Sequence, residues 1–360
     1  MKHHQTGIAK VGPINPDGHA IGVDIGATAV RAAILSPGTN EGRPSVTVHG
    51  LGSVPLPPGA VVNGVVTDQS AVTAALKALW RANKFECRNV ILGITNQQVV
   101  VRDMTVPNLS PHQRAKALPF QAREIVALPM DQVLIDFAQL GEVDPEAETV
   151  SGLLVATPRQ PVLAAVEAVE RANLKVARVD LSSFAVLRSI AHEQLSVEAV
   201  IDLGAHLTSI VIHSHGVPKV VRTISRGGDE LTAKLMEHMG LSQTDAESAK
   251  AEMGLRGHHA EITKNLNESV RPLLAEIRSS IHYFGSTNNG AVVERVSLTG
   301  GASRLPGLAE LLSEQLGLPT NVLAPMQHIR NRWAGKQTQP DEAEASATAV
   351  SIGLAMGAAA

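Results

Sequence analysis

Asp24 and Asp202 each close an apolar run and open onto a small-residue turn that leads into a second apolar run. The first stretch reads Val23-Asp24-Ile25-Gly26-Ala27-Thr28 before residues 30–35, and the second reads Ile201-Asp202-Leu203-Gly204-Ala205-His206 before 208–212. Mg2+ sheds water reluctantly, so a carboxylate at a strand end can hold it through that water. A glycine turn lets backbone N–H groups approach an anion. Each stretch therefore reads as half of a phosphate clamp, with Asp24 and Asp202 as metal partners and Gly26 and Gly204 opening the backbone. Two such hairpins face to face would grip a nucleotide's phosphates from both sides. Taken singly, either reads first as a turn that needs glycine for its backbone angles, so the pairing carries the inference. Thr28 and Thr208 can donate hydroxyls to phosphate or simply suit β-structure. His206 can touch a phosphate or face solvent.

The elements that must position these groups follow from patterning. The copies lie about 180 positions apart, too far for a solenoid repeat and suited to two duplicated domains, for which 360 residues suffice. A helix capped at Ser70 runs to Lys84, and 89–94 and 99–101 are strands. Across 96–171, strand, helix, strand, strand and helix describe an inserted α+β unit, its first helix starting at Ser110-Pro111 and kinked by Pro119. Asp136 in that unit reads as structural or partner-binding. A strand at 176–180 and a helix at 182–194 lead to the second clamp.

Beyond it, Gly227-Gly228-Asp229 opens a helix that stops at Gly240, and Ser242 or Thr244 caps another. Glu247 and Lys250 share a face of that helix, as a surface ion pair or as nucleotide contacts. A long helix carries Ile262, Leu266, Val270, Leu274, Ile277, Ile281 and Phe284 at a 3.6 period. The strand at 295–299 enters the double-glycine turn Gly300-Gly301-Ala302, Pro306 starts a helix ending at Gly317, 327–344 is polar and loop-like, and 345–355 is a small-residue helix.

Composition excludes several classes. A net charge of −3 gives no electrostatic footprint for nucleic acid. The single Cys87 excludes an internal disulfide framework and a cysteine metal cage, and fits a reducing cytosol. The apolar runs are strand-length, which predicts no membrane span and no signal peptide; 1–18, with His3-His4, reads as a loose tail.

The order of motifs (clamp, helix at Ser182, clamp, Gly-Gly-Asp with Ala-x-x-x-Lys, Thr-Gly-Gly-Ala, Ala-rich helix) resembles the actin-like ATPase superfamily. Within it the chain is most similar to the PilM family of type IV pilus assembly, which is related to FtsA. The likeness rests on Gly22-Val23-Asp24-Ile25-Gly26, Leu118-Pro119-Phe120 through Ile125 to Leu128-Pro129, 133–137 and 225–232.

The resemblance implies an α/β actin-like fold of two duplicated lobes around a nucleotide cleft, with an inserted α+β subdomain. It divides the chain into a tail at 1–18, a first lobe at 19–95 and 172–197, the insert at 96–171, a second lobe at 198–342 and a returning helix at 343–360. It assigns Asp24, Gly26, Ala27 and Thr28 to the first phosphate loop, and Asp202, Gly204, Ala205, His206 and Thr208 to the second. Gly228 belongs to the Gly-Gly-Asp turn; Gly300, Gly301 and Ala302 would lie against adenosine, with Glu247 and Lys250 at the ribose and adenine edge. Helices at Ser182 and at 347–355 would cross as hinges. Arg31 stands where the family usually has lysine, keeping a cation with different reach. Ser182-Ser183 replaces a frequent Glu-Pro whose acid helps organise attacking water, so ATP and Mg2+ binding is expected with weak or absent hydrolysis.

The implied role is a cytoplasmic ATP-binding scaffold that docks the N-terminal cytoplasmic peptide of PilN and reaches the inner face of the membrane through that partner. Other pilus-assembly components and self-association are further candidates. A sugar-kinase-type phosphotransferase is the enzyme rival, disfavoured because one large kinase group needs a cysteine-rich zinc motif. An FtsA-like division ATPase is the other; its membrane helix is not matched by Met356-Gly357-Ala358-Ala359-Ala360, which lacks a basic face. A chaperone would need a separate substrate domain.

Overall fold

The computed structural model describes residues 15, 18–40, 43–144, 146–190, 196–325, 331–333 and 342–359. Of the expected N-terminal tail only Asn15 and Gly18 fall within these. Asn15 is buried, and its side-chain amide donates to the carbonyls of His19 and Asn89.

The first lobe begins with an antiparallel meander of β1 (Ala20–Ile25), β2 (Ala29–Asn40) and β3 (Arg43–Pro55). A short hairpin, β4 (Val61–Val62) and β5 (Val65–Val66), precedes α1 (Gln69–Asn83) and β6 (Asn89–Ile94). The insert's own core joins β7 (Val100–Pro107), α2 (Pro111–Gln121), β8 (Val133–Asp144) and β9 (Thr149–Pro158), whereas α3 (Arg159–Arg171), expected to belong to the same unit, packs its Ala165, Ala168 and Val169 into the first lobe's core beside α1. Then come β10 (Lys175–Leu181) and α4 (Ser182–Ile190).

The second lobe runs β11 (Glu198–Leu203), β12 (Thr208–Ser214), β13 (Val217–Ile224), α5 (Gly228–Met239), α6 (Gln243–Met253) and α7 (Ala260–Thr287). It continues with β14 (Arg295–Thr299), α8 (Leu308–Leu316), β15 (Thr320–Val322) and β16 (Asn331–Trp333), and ends in α9 (Glu342–Ala347) and α10 (Ala349–Ala359).

The two large sheets repeat one plan. The first is ordered β10-β6-β1-β2-β3-β16 and the second β13-β12-β11-β14-β15. In each, the clamp strand pairs antiparallel with the next strand and parallel with a later one: β1 with β2 and β6, β11 with β12 and β14. The chain therefore has an actin-like fold, two duplicated lobes around one cleft.

Period-two alternation aims the acids. In β1, Ile21 and Val23 face the core over α1 and α3, while Ala20 faces the core of α4 and α10. Gly22 lies on that second face, where an added Cβ would stand 2.1 Å from the carbonyl oxygen of Ser351 on α10. Asp24 is in phase with Ala20 and Gly22. In β11, Ala199, Ile201 and Leu203 pack on the α5, α7 and α8 side, whereas Val200 joins the core of α4. Asp202 is in phase with Val200. Both acids thus leave their sheets on the faces that sandwich the hinge helices.

Two readings of the sequence are corrected. The stretch 327–344 is not all loop: Asn331–Trp333 pairs parallel with β3 and Glu342–Ala347 is helical, while its other residues lie outside the described ones. The Ala-rich helix is two helices meeting at Thr348, whose hydroxyl donates to the carbonyl of Ala345 at 2.7 Å. A side chain that competes for a helix carbonyl favours such a break.

Candidate functional site

A cavity of about 590 Å3 opens between the lobes. The first lobe lines it with Asp24, Gly26, Ala27, Thr28 and Arg31, and the facing turn with Asp202, Gly204, Ala205 and His206. Gly228 at the start of α5, Glu247 and Lys250 on α6, and Gly300, Gly301 and Ala302 complete it.

The clamp turns share one geometry. The N–H of Gly26 donates to the carbonyl of Ala29 at 3.0 Å, and that of Gly204 to the carbonyl of Leu207 at 2.9 Å. The start of α5 is docked on the second turn: the N–H groups of Gly228 and Asp229 donate to the carbonyls of Gly204 and Ala205. An added Cβ on Gly227 would lie 2.3 Å from the Ala205 carbonyl, so only glycine allows this approach. The helix start brings its positive dipole end beside the turn. Gly300 has φ +89°, and its added Cβ would stand 2.3 Å from Oδ1 of Asp202. Its N–H and the hydroxyl of Thr299 both donate to the carbonyl of Ser346, tying this turn to α9.

Burial pushes the Asp202 carboxyl up to about 7; the nearby charge of Asp24 adds to this and Arg31 opposes it. Asp24 is also raised by burial, again against Arg31. Two crowded acids sharing one guanidinium are short of positive charge. Among the described residues no group of three His, Cys, Asp or Glu could cage a metal. Two carboxylates beside open turns fit a cation that keeps most of its water and leans on phosphate oxygens.

Lys250 Nζ bridges Glu247 Oε1 (2.8 Å), the Thr232 hydroxyl (2.7 Å) and the Gly228 carbonyl (3.3 Å). It therefore ties α6 to the start of α5 as well as lining the cavity. His206 Nε2 lies 3.2 Å from Asp229 Oδ2.

Thr208 is the exception among the expected contacts. It is fully buried, does not line the cavity, and its hydroxyl donates to the Arg226 carbonyl at 2.8 Å. Its hydroxyl ties β12 to the loop just beyond β13, so it is withdrawn as a phosphate contact. Sequence reading missed Gln243 and Arg304, which line the cavity, and Thr95. Thr95 alone had a legible signal, its place at the carboxyl end of a parallel strand, where α/β sites collect.

The Type IV pilus assembly protein PilM family matches residues 22–359. Cell division protein FtsA of Pseudomonas aeruginosa is 26% identical, covering 86% of this chain and 85% of its own. FtsA of Streptococcus pneumoniae is 22% identical over 88% of this chain and 78% of its own. Among solved structures, the PilM-PilN type IV pilus biogenesis complex superposes with a TM-score of 0.82 at 26% identity, covering 95% of this chain and 98% of that one. MreB5 of Spiroplasma citri bound to ADP shares the fold, with a TM-score of 0.50 at 13% identity, covering 93% and 94%. The chain belongs to the PilM family of type IV pilus assembly proteins.

Proposed function

We propose that this chain is an ATP-binding scaffold of type IV pilus assembly that holds ATP with Mg2+ in the cleft and docks the cytoplasmic N-terminal segment of PilN. The observation that carries the nucleotide reading is convergence: both acid-bearing turns, the start of α5 and the Gly300-Gly301-Ala302 turn line one cavity of about 590 Å3. In this reading Gly26 and Gly204 close the turns and let phosphate approach, Ala27 and Ala205 present backbone N–H groups to it, and the Thr28 hydroxyl and Arg31 stand beside them. Asp24 and Asp202 hold the cation's water, and His206 stands at the phosphate end. Gly300, Gly301 and Ala302 receive the adenosine, and Glu247 and Lys250 face the ribose. Bound Mg2+ would neutralise phosphate charge and relieve the repulsion between the two acids. Hydrolysis is slow, because Ser182 offers a neutral hydroxyl where an acid would activate water.

Support for the partner comes from the family and from the structural likeness to a PilM-PilN complex. The peptide would lie extended between the first lobe and the β7-β9-β8 sheet, lengthening a sheet edge. Leu118 is buried and Ile125 partly so, hence both fill the insert's core, whereas Phe120 is 69% exposed with the Arg123 guanidinium 5.3 Å from its ring centroid. Among the described residues no helix is long and apolar enough to cross a membrane. Placement at the inner face of the membrane would come through the partner.

The test is titration of the purified chain with ATP, with and without Mg2+, and with a PilN N-terminal peptide. Micromolar ATP binding that Asp24→Ala abolishes is expected, together with peptide binding weakened about tenfold or more by Phe120→Asp. Unchanged ATP affinity in Asp24→Ala overturns the site; unchanged peptide affinity in Phe120→Asp moves the docking surface elsewhere.

A further inference from the structure

At the floor of the cleft, sharing Asp24, Thr95 and Ser182 with it, lies a small side chamber of about 20 Å3. That volume admits one water molecule. Its walls come from four places: Asp24 at the end of β1, Thr95 beyond β6, Ser182 at the start of α4, and an apolar remainder that includes Val66, Val162 and Ala165. The Thr95 hydroxyl and the Ser182 hydroxyl are both buried and have no hydrogen-bond partner among the described residues. Asn96, the other polar wall, is already satisfied: its amide donates to the Thr157 hydroxyl at 3.1 Å and its carbonyl accepts from the Gln98 N–H at 2.9 Å.

The two hydroxyls are held there by close packing. An added Cβ on Gly64 would lie 1.9 Å from the carbonyl oxygen of Thr95, so the β4-β5 hairpin presses on this residue. An added Cβ on Gly93 would lie 3.0 Å from Ser182 Oγ, which fixes the first turn of α4 against β6. Asp24 turns to the same face, the one that packs on the hinge helices. Buried polar groups find partners, and the side chamber has room for one water that both hydroxyls can share.

We infer that one ordered water, accepting hydrogen bonds from Thr95 and Ser182 and donating to the Asp24 carboxylate, makes these two hydroxyls positioning residues for the acid that faces the cation. The water would link β1, β6 and the hinge helix α4 at one point. Thr95 and Ser182 would thus act on metal affinity through Asp24, in the manner of outer partners that orient a metal's carboxylate. The inference rests on the proposal that the cleft binds nucleotide with Mg2+.

The experiment measures ADP affinity in Mg2+ and in EDTA, and the melting temperature of the ligand-free protein, for the wild type, Thr95→Val, Thr95→Ser and Ser182→Ala. Wild type is expected to bind more tightly in Mg2+. Thr95→Val and Ser182→Ala should reduce that gain about tenfold and lower the melting temperature, and Thr95→Ser should restore the gain. A dry chamber gives the opposite sign: Thr95→Val then removes a costly unpaired hydroxyl and melts higher, which overturns the water. A lower melting temperature with an undiminished Mg2+ gain overturns the positioning role. No Mg2+ gain in the wild type itself overturns the reading of the cleft instead, while the melting comparison still decides whether the water is there.

Discussion

At the scale of single residues, Asp202 trades stability for charge. Its carboxyl titrates near 7 in the fold against an ordinary 3.8, so the folded chain holds its proton more tightly than the unfolded one. The sign follows from linkage: as pH rises from about 4 to 7 the unfolded state ionises first, and stability is lost across that window. Asp202→Asn should therefore raise the melting temperature of the ligand-free protein, by roughly 1–3 kcal/mol of stability at pH 8 and less at pH 5. The same substitution should abolish Mg2+-dependent nucleotide binding; equal melting gains at the two pH values would refute the assignment. The neighbouring glycines separate in a similar way. Nothing lies within 4 Å of an added Cβ on Gly301, so Gly301→Val should melt like the wild type while losing ATP affinity about a hundredfold. Gly300→Ala should instead destabilise, by about 2 kcal/mol or more, through its φ of +89° and its collision with Asp202. Thermal melts paired with ATP titrations distinguish them. Asp24 and Asp202 were legible in the sequence because strand periodicity and a duplicated motif are local signals. The fate of the Thr208 hydroxyl was not, since it depends on a carbonyl contributed by Arg226, in the loop just beyond β13.

At the scale of elements, the hinge helices meet backbone to backbone. An added Cβ on Gly353 would stand 1.8 Å from the carbonyl oxygen of Ala185, and Arg188 Nε donates to the Gly353 carbonyl at 2.9 Å. Gly353→Leu should separate α4 from α10 and cost about 3 kcal/mol or more, read as a fall in the denaturant midpoint. Retention of the wild-type midpoint would mean the helices do not cross there. The expectation of a small-residue helix came from composition alone, and the crossing explains the composition. Helix ends were legible where cap chemistry is strong: Ser110 caps α2 with a full capping box, and Gly240 and Gly317 end α5 and α8 at φ +66° and +67°. Starts were less legible. Asp68, not Ser70, caps α1, and α8 begins at Leu308 behind Gly307 rather than at Pro306, because several adjacent residues can each serve as a cap. Strand β16 left no signal, since three residues have no measurable period.

At the scale of the whole molecule, the duplicated plan was visible because each lobe restarts with the same acid and turn. The position of the insert was not visible. On β9, Leu154 belongs to the insert's own core while Leu153 joins a cluster with Val221 of β13 and with α4. The insert therefore touches the second lobe as well as the first, a contact reinforced by the Ser225 hydroxyl donating to Gln97 Oε1 at 2.9 Å. If ATP sets the angle between lobes, it must move the proposed docking groove. Saturating ATP with Mg2+ should then change PilN peptide affinity about fivefold or more, and the peptide should change ATP affinity by the same factor. Peptide affinity that is the same with and without saturating ATP and Mg2+ would rule out the coupling.

The cluster that joins Leu35, Leu153, Phe184, Val211 and Ile352 also governs how the protein comes apart. These residues come from the first sheet, the insert, α4, the second sheet and α10, so the lobes share this core although each keeps another on the far face of its sheet. Removing one lobe would expose the apolar face of the other. The chain should therefore denature as a single cooperative unit despite its two-lobed outline. Its calorimetric and van't Hoff enthalpies should agree, and one heat-absorption peak should shift as a whole when ligand is added.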